Sequence, residues 1–175
     1  MAFTPTSKLL AQPRGEAGKA IAFIDRHPNG EYESGAVREI VDLYWETCTA
    51  VGLDPFFVVA QLSLETGFLS SFWSQRPRRN PAGIGVTGKP GEGVMFPSWK
   101  KAVRAHAGRL LAYVLAAGHG TAAQRALITE ALAVRPLPAD KRGVAPTLGG
   151  LEGTWAADPR YAEKLVALGN DMLAA

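Results

Sequence analysis

Apolar residues recur along this chain at intervals of three and four, the spacing of one face of an α-helix. Val37, Ile40, Val41, Tyr44, Cys48 and Val51 form the plainest stripe, with Ser34 ahead of it as an N-cap and Gly52 behind it as a stop. Asp54 followed by Pro55 opens the next helix, because an Asp side chain accepts from the first free amides and proline fits the first turn. That helix, Pro55 to about Thr66, carries Phe56, Phe57, Val58, Val59, Leu62 and Leu64 around most of its circumference, so it belongs in the middle of a fold. A further helix is expected after Ser98, turning Val103, Ala107, Leu110, Leu111 and Val114 inward until Gly118. Another covers about Thr121 to Val134, and the last starts at Asp158-Pro159 and buries Tyr161, Leu165, Leu168 and Met172. A shorter helix near Glu16 to Arg26 buries Ala17, Ile21 and Ile24.

Two stretches break this rhythm. Ser74 to Pro97 is rich in Gly, Pro and Arg, and Arg135 to Trp155 holds Pro136, Pro138 and Pro146 among its glycines. Irregular connections of this length in a compact domain often carry function. The pattern predicts a mostly α fold whose long loops border a cleft. Its 175 residues suit one domain with one sizeable core, and no repeat or linker divides them. Residues 1–33 are expected to pack on the remainder as an N-terminal extension.

Composition narrows the classes. A hydrophobic fraction of 47% and a charged fraction of 20% are those of a soluble globular chain. A net charge of +3 and a pI near 9.2 are mildly basic, which suits an anionic polymer such as a cell wall and argues little for nucleic acid. No apolar run approaches the ~20 residues of a membrane span. Met1 to Lys8 lacks the charged-then-apolar pattern of a secretory signal. Cys48, the single cysteine, allows no intrachain disulfide and reads as a small buried apolar group. A monomer is expected.

Several motifs fail on their surroundings. Gly83, Gly85 and Gly88 match the dinucleotide fingerprint, and Gly83 to Lys89 resembles the start of a phosphate-binding loop. Both require a helix directly after the glycines, and Pro90, Gly91 and Gly93 forbid one. His27, His106 and His119 have no partners at metal-ligand spacing, so neither a metal nor a cofactor is expected. Glu65 is different. It closes the most apolar helix in the chain, where desolvation and the negative end of the helix dipole both push its pKa upward. A carboxylic acid held partly protonated near neutral pH is what glycosidic-bond cleavage needs, since the leaving oxygen must receive a proton. Gln61, one turn earlier, is placed to hydrogen-bond it. A solvated Glu at a helix end is the plain alternative.

Gln61 to Ser71, with Leu64-Glu65-Thr66-Gly67 at its centre, resembles the catalytic helix of glycoside hydrolase family 73, which includes autolysins and the flagellar peptidoglycan hydrolase. Three more segments follow in that family's order. Asn80 to Ile84 is similar to its Asn-Leu-Phe-Gly-Ile segment, Phe96 to Val103 to its Phe-x-x-Tyr helix entry, and Trp155 to Ala162 to its Tyr-Ala-Thr-Asp-Pro-x-Tyr-Ala. The resemblance runs from about Asp54 to Met172. It implies a lysozyme-like fold, peptidoglycan glycan strands as substrate, and hydrolysis of the β-1,4 bond after N-acetylglucosamine with Glu65 as general acid. It also implies that Asn80, Gly83, Ile84, Trp155 and Tyr161 line the substrate site, Trp155 standing where the family has a tyrosine. For Trp155 and Tyr161 core packing is the competing reading, and Asp158 reads as a helix cap.

The chain departs from the family between the second and third segments. Members place a β-hairpin lobe with a second acidic residue there, and this chain has only Val86 to Met95. Glu92 is the sole carboxylate in that loop and the candidate for the second catalytic role, with the substrate's own acetamido group as the alternative. A muramidase, a lytic transglycosylase and a non-catalytic glycan-binding or virion module compete with the glucosaminidase reading, because fold does not choose among them. Action on a wall without a secretory signal implies phage lysis, a virion component or non-classical export.

Overall fold

The computed structural model describes residues 1–175, and six α-helices carry most of its regular structure: α1 (Ala17–Asp25), α2 (Ser34–Ala50), α3 (Pro55–Thr66), α4 (Trp99–Val114), α5 (Ala122–Val134) and α6 (Tyr161–Ala174). No strand forms; the extended pairings are isolated bridges, Lys8 with Thr147, Leu10 with Leu53 and Glu152 with Ala156. The segment from Val86 to Met95 is accordingly loop and turn. No helix is long and apolar enough to cross a membrane.

α3 is central because its residues leave it no polar face. Pro55 to Ser63 are all buried, and α1, α2 and α6 pack around it, while α4 joins α2 to α5. Asp54 sets its start: Oδ1 accepts from the amides of Phe56 at 3.0 Å and Phe57 at 3.4 Å, and Oδ2 pairs with Arg14 at 2.7 Å. The cap therefore also anchors the N-terminal segment. Phe3 and Leu9 are buried with α1 in one continuous core of 42 residues, so residues 1–33 share the core of the rest.

Helix boundaries differ from the sequence pattern where tertiary partners intervene. Ser34 is the first residue of α2 and not its cap; its hydroxyl donates to Asp25 at 2.6 Å, which ties α2 to α1 instead. α4 stops at Val114, short of Gly118, because the loop after α5 satisfies its last carbonyls. Gly143 N–H and Arg142 Nε both donate to Ala112 O, at 3.0 and 3.2 Å, and Ala145 N–H donates to Tyr113 O at 2.8 Å. Asp158-Pro159-Arg160 forms a turn before α6, in which Asp158 accepts from the Arg160 amide at 2.9 Å.

The end of α3 is a sharp left-handed turn. Gly67, Phe68 and Leu69 all have positive φ, at 54°, 57° and 66°. Two non-glycine residues in that region are strained, and the surroundings must hold them there. Thr66 does so in part, its Oγ1 accepting from the Leu69 amide at 2.9 Å, while Phe68 stacks on His27 at 3.7 Å. The turn fixes where Glu65 emerges from the core.

Candidate functional site

Glu65 stands one residue before the end of α3, facing the first turn of α6. Its Oε1 accepts two hydrogen bonds, from Tyr161 Oη at 2.5 Å and from Trp155 Nε1 at 3.0 Å. Oε2 has no protein partner, and no buried side-chain polar atom is left unpaired, so Oε2 reaches solvent. Burial raises the Glu65 pKa above the ordinary 4.5, with the Tyr161 and Trp155 donors pulling against it. The carboxyl thus has one oxygen fixed by two donors and one oxygen open.

A buried chain of hydrogen bonds stands behind this pair. Gln61 does not bond Glu65 directly; its Nε2 donates to Tyr161 Oη at 3.0 Å. Gln61 Oε1 lies 3.0 Å from His106 Nε2, and His106 Nδ1 lies 2.8 Å from Tyr44 Oη. The directions settle each other. Gln61 Oε1 can only accept, so His106 carries its proton on Nε2 and its Nδ1 accepts from Tyr44. Every donor in Tyr44–His106–Gln61–Tyr161 then points toward Glu65. Complete burial lowers the His106 pKa from 6.5 to about 3, which keeps the ring neutral as this pattern requires. Burial, then the neighbouring carboxylate, pushes the Tyr161 phenol well above its usual range, so it remains a donor.

Trp155 is held by its own loop. Its amide donates to Leu151 O at 2.9 Å, and Lys141 Nζ donates to the carbonyl of Thr154 at 3.2 Å. The indole leans on His106 and Tyr113, with ring centres at 5.8 and 5.1 Å. It forms one wall of a hollow of about 150 Å³, whose floor is Ala82 to Val86 and whose far side is Arg109, Tyr113 and Arg135. A larger depression, about 270 Å³ between α2, α4 and α5, is lined by Leu43, Thr47 and Ala126 and lies away from Glu65.

The sequence-predicted residues fall into three groups. Glu65, Trp155 and Tyr161 meet directly, and Gly83 and Ile84 join them through the hollow. Asn80 is buried, with its side chain spent on the loop: Nδ2 donates to Ile84 O and Val94 O, and Oδ1 accepts from the amides of Ile84 and Ala82. It shapes the Gly83–Ile84 floor and offers nothing outward. Glu92 is exposed and accepts from Thr87 Oγ1 in the same loop, outside the group gathered at Glu65. No three His, Cys, Asp or Glu side chains stand together as metal ligands.

No family model matches the chain, and no solved structure matches it. A relative described as an uncharacterized protein of Borreliella burgdorferi is 28% identical over 138 residues, which is 78% of this chain and 63% of the relative. The chain thus spans less than two thirds of that relative's length.

Sequence reading missed Tyr44, His106, Arg109, Tyr113 and Arg135. A signal for His106 was present. Gln61 and His106 each interrupt the buried face of a core helix, and buried polar groups need partners, so the two could have been paired. The arginines gave no such signal, because a half-buried arginine on a helix, as Arg109 is, carries no mark in sequence, and Arg135 lies in a loop whose path depends on the packing of α5 against α4.

Proposed function

We propose that this protein is a peptidoglycan hydrolase of lysozyme-like architecture that cleaves the β-1,4 bond after N-acetylglucosamine, with Glu65 as general acid. The observation that carries the reading is the asymmetry of the Glu65 carboxyl. Burial favours its protonated form, and with Oε1 occupied by two donors the proton sits on the open Oε2. Transfer of that proton to the glycosidic oxygen lets the C–O bond break and leaves Glu65 as an anion, and water then bonds the anomeric carbon and its proton restores the acid. Tyr161 and Trp155 already donate to that anion and strengthen their hold as charge develops, which lowers the barrier to transfer. The resemblance of the Glu65, Ile84 and Tyr161 segments to family 73 supports the choice of bond, and the half-buried Trp155 supplies aromatic surface for a sugar, while Tyr161 is buried and acts through its hydroxyl on Glu65. The group assisting at the other face of the sugar is the substrate's own acetamido oxygen, which the exposed position of Glu92, bonded within its own loop, favours over Glu92.

Product analysis tests this directly. Digested peptidoglycan should carry new N-acetylglucosamine reducing ends after borohydride reduction and mass spectrometry. New muramic acid ends would make the protein a muramidase, and 1,6-anhydromuramic acid a transglycosylase. Co-sedimentation with the wall and release of no product would make it a binding or virion module.

A further inference from the structure

We propose that Arg109 and Arg135 form a carboxylate-binding subsite beside Trp155, which takes an anionic substituent of the bound glycan. The proposal rests on the glycan-hydrolase reading and specifies the substrate chemistry at that same site. The carboxylate has two sources in peptidoglycan: the lactyl group of muramic acid where no peptide is attached, or the peptide stem where one is.

His106, Arg109 and Tyr113 are spaced three and four apart on α4 and so share one face. That face meets Trp155, which contacts His106 and Tyr113 with its ring and reaches Glu65 with its N–H. The arginine-lined hollow is therefore separated from the acid by the width of one indole. Arg109 is half-buried there, with its Nη1 donating to the Arg135 carbonyl at 2.9 Å. The Arg135 guanidinium lies against Gly85, where φ is 74° and a Cβ would come within 3.2 Å of Nη1. A side chain at Gly85 would crowd Val94 Cγ2 as well, at 3.0 Å, so the glycine leaves room on this side of the hollow.

Neither arginine has a counter-ion. The ion pairs of the molecule are Arg14–Asp54, Arg76–Glu31, Arg104–Glu130, Arg160–Glu163 and Lys164–Asp158. Burial is the largest influence against the protonated form of Arg109; Tyr113 beside it favours that form and the charge of Arg135 opposes it, so an anion entering the hollow offsets the burial and the Arg135 charge. Guanidinium groups match carboxylates in a planar, two-pronged geometry that an ammonium cannot offer. A water occupies about 30 Å³ of liquid, so a hollow near 150 Å³ has room for a lactyl-sized group.

The test measures binding in the Glu65→Gln protein, which keeps the site's shape while preventing turnover. Titration calorimetry compares three soluble ligands: neutral chito-oligosaccharides, glycan strands stripped of peptide so that lactyl carboxylates are free, and glycan strands bearing intact stems. A charged ligand should bind about tenfold or more tightly than the neutral one, as a charge-assisted pair predicts, and added salt should narrow the margin. A margin for stripped strands identifies the lactyl group, and a margin confined to stem-bearing strands identifies the peptide. Arg135→Gln should abolish the margin; because Arg135 is exposed, this variant folds even if Arg109→Gln does not. The absence of a margin, or its survival in Arg135→Gln, would overturn the subsite. An equal Arg135-dependent margin for a single-stranded oligonucleotide would overturn it as well. Release of reducing ends by the wild-type protein is read separately, so a failure of the hydrolase reading is distinguishable from a failure of the subsite.

Discussion

At Glu65 burial and hydrogen bonding pull the carboxyl in opposite directions, and burial is the larger. Replacing it with Gln keeps both acceptor bonds to Oε1 and removes the transferable proton. On the proposed hydrolase reading, steady-state turnover on peptidoglycan should fall by at least about 10²–10⁴-fold, the usual contribution of a general acid. Stability should move the other way. The folded pKa lies above 4.5, so from 4.5 upward the unfolded chain ionises first and the folded state loses stability until Glu65 also ionises. The Gln variant escapes this loss. Its melting temperature should match the parent below pH 4.5 and equal or exceed it at pH 7; a lower value at pH 7 would contradict the burial argument. Glu92→Gln, in an exposed loop, should leave stability within about 0.5 kcal/mol of the parent. A fall in its kcat without a change in KM would assign Glu92 the second catalytic role, and unchanged kinetics would leave that role to the acetamido group.

Among elements, four helices converge on one polar thread through an apolar core: α2 with Tyr44, α4 with His106, α3 with Gln61 and α6 with Tyr161. The thread fixes the rotation of α4 and α6 about α3, because a turn of any helix would strand a buried donor. His106→Leu orphans Gln61 Oε1 and the Tyr44 hydroxyl, each costing about 1–3 kcal/mol, and chemical denaturation should report a loss of about 2 kcal/mol or more. His106 also sets an acid limit. Its folded pKa is about 3 against 6.5 unfolded, so its share of stability is complete above pH 6.5 and is lost as pH falls from 6.5 toward 3. Glu65 acts with the opposite sign from 4.5 upward until it ionises in the folded state, so over that part of the range the two effects compete. His106→Gln, which hydrogen-bonds but does not titrate, should flatten the acid limb of the stability curve relative to the parent.

For the whole molecule, the single core makes the N-terminal segment part of the cooperative unit. Phe3 is 2% exposed and packs on Phe56 and Phe57 with ring centres 6.3 and 6.2 Å away. Phe3→Ala should cost about 3–5 kcal/mol, as for other large buried aromatics. Unfolding followed by circular dichroism and by tryptophan fluorescence should remain one coincident transition at a lower midpoint. A separate early transition would show that residues 1–33 unfold independently of the rest.

Helical periodicity, the Asp54-Pro55 start and the apolar circumference of α3 were legible in the sequence because they depend on neighbours within one or two turns. Glu65 was legible for the same reason: a carboxylate beside Leu62 and Leu64 at a helix end is conspicuous without a structure. Asn80 and Glu92 carried no such local mark. Whether an amide is spent on its own loop, or a carboxylate reaches a distant acid, depends on the path of an irregular segment. The stop of α4 at Val114 and the hydroxyl of Ser34 turned to Asp25 were likewise decided by partners far away in sequence or in another element. The meeting of Glu65 with Trp155 and Tyr161 spans 90 and 96 residues, and Arg135 shares a hollow with Gly85 and Arg109 from two other parts of the chain. Local chemistry therefore marked the acid and the helices, while tertiary packing alone determined which donors hold the acid and which cations stand beside it, because those contacts are set by the rotation and docking of whole helices.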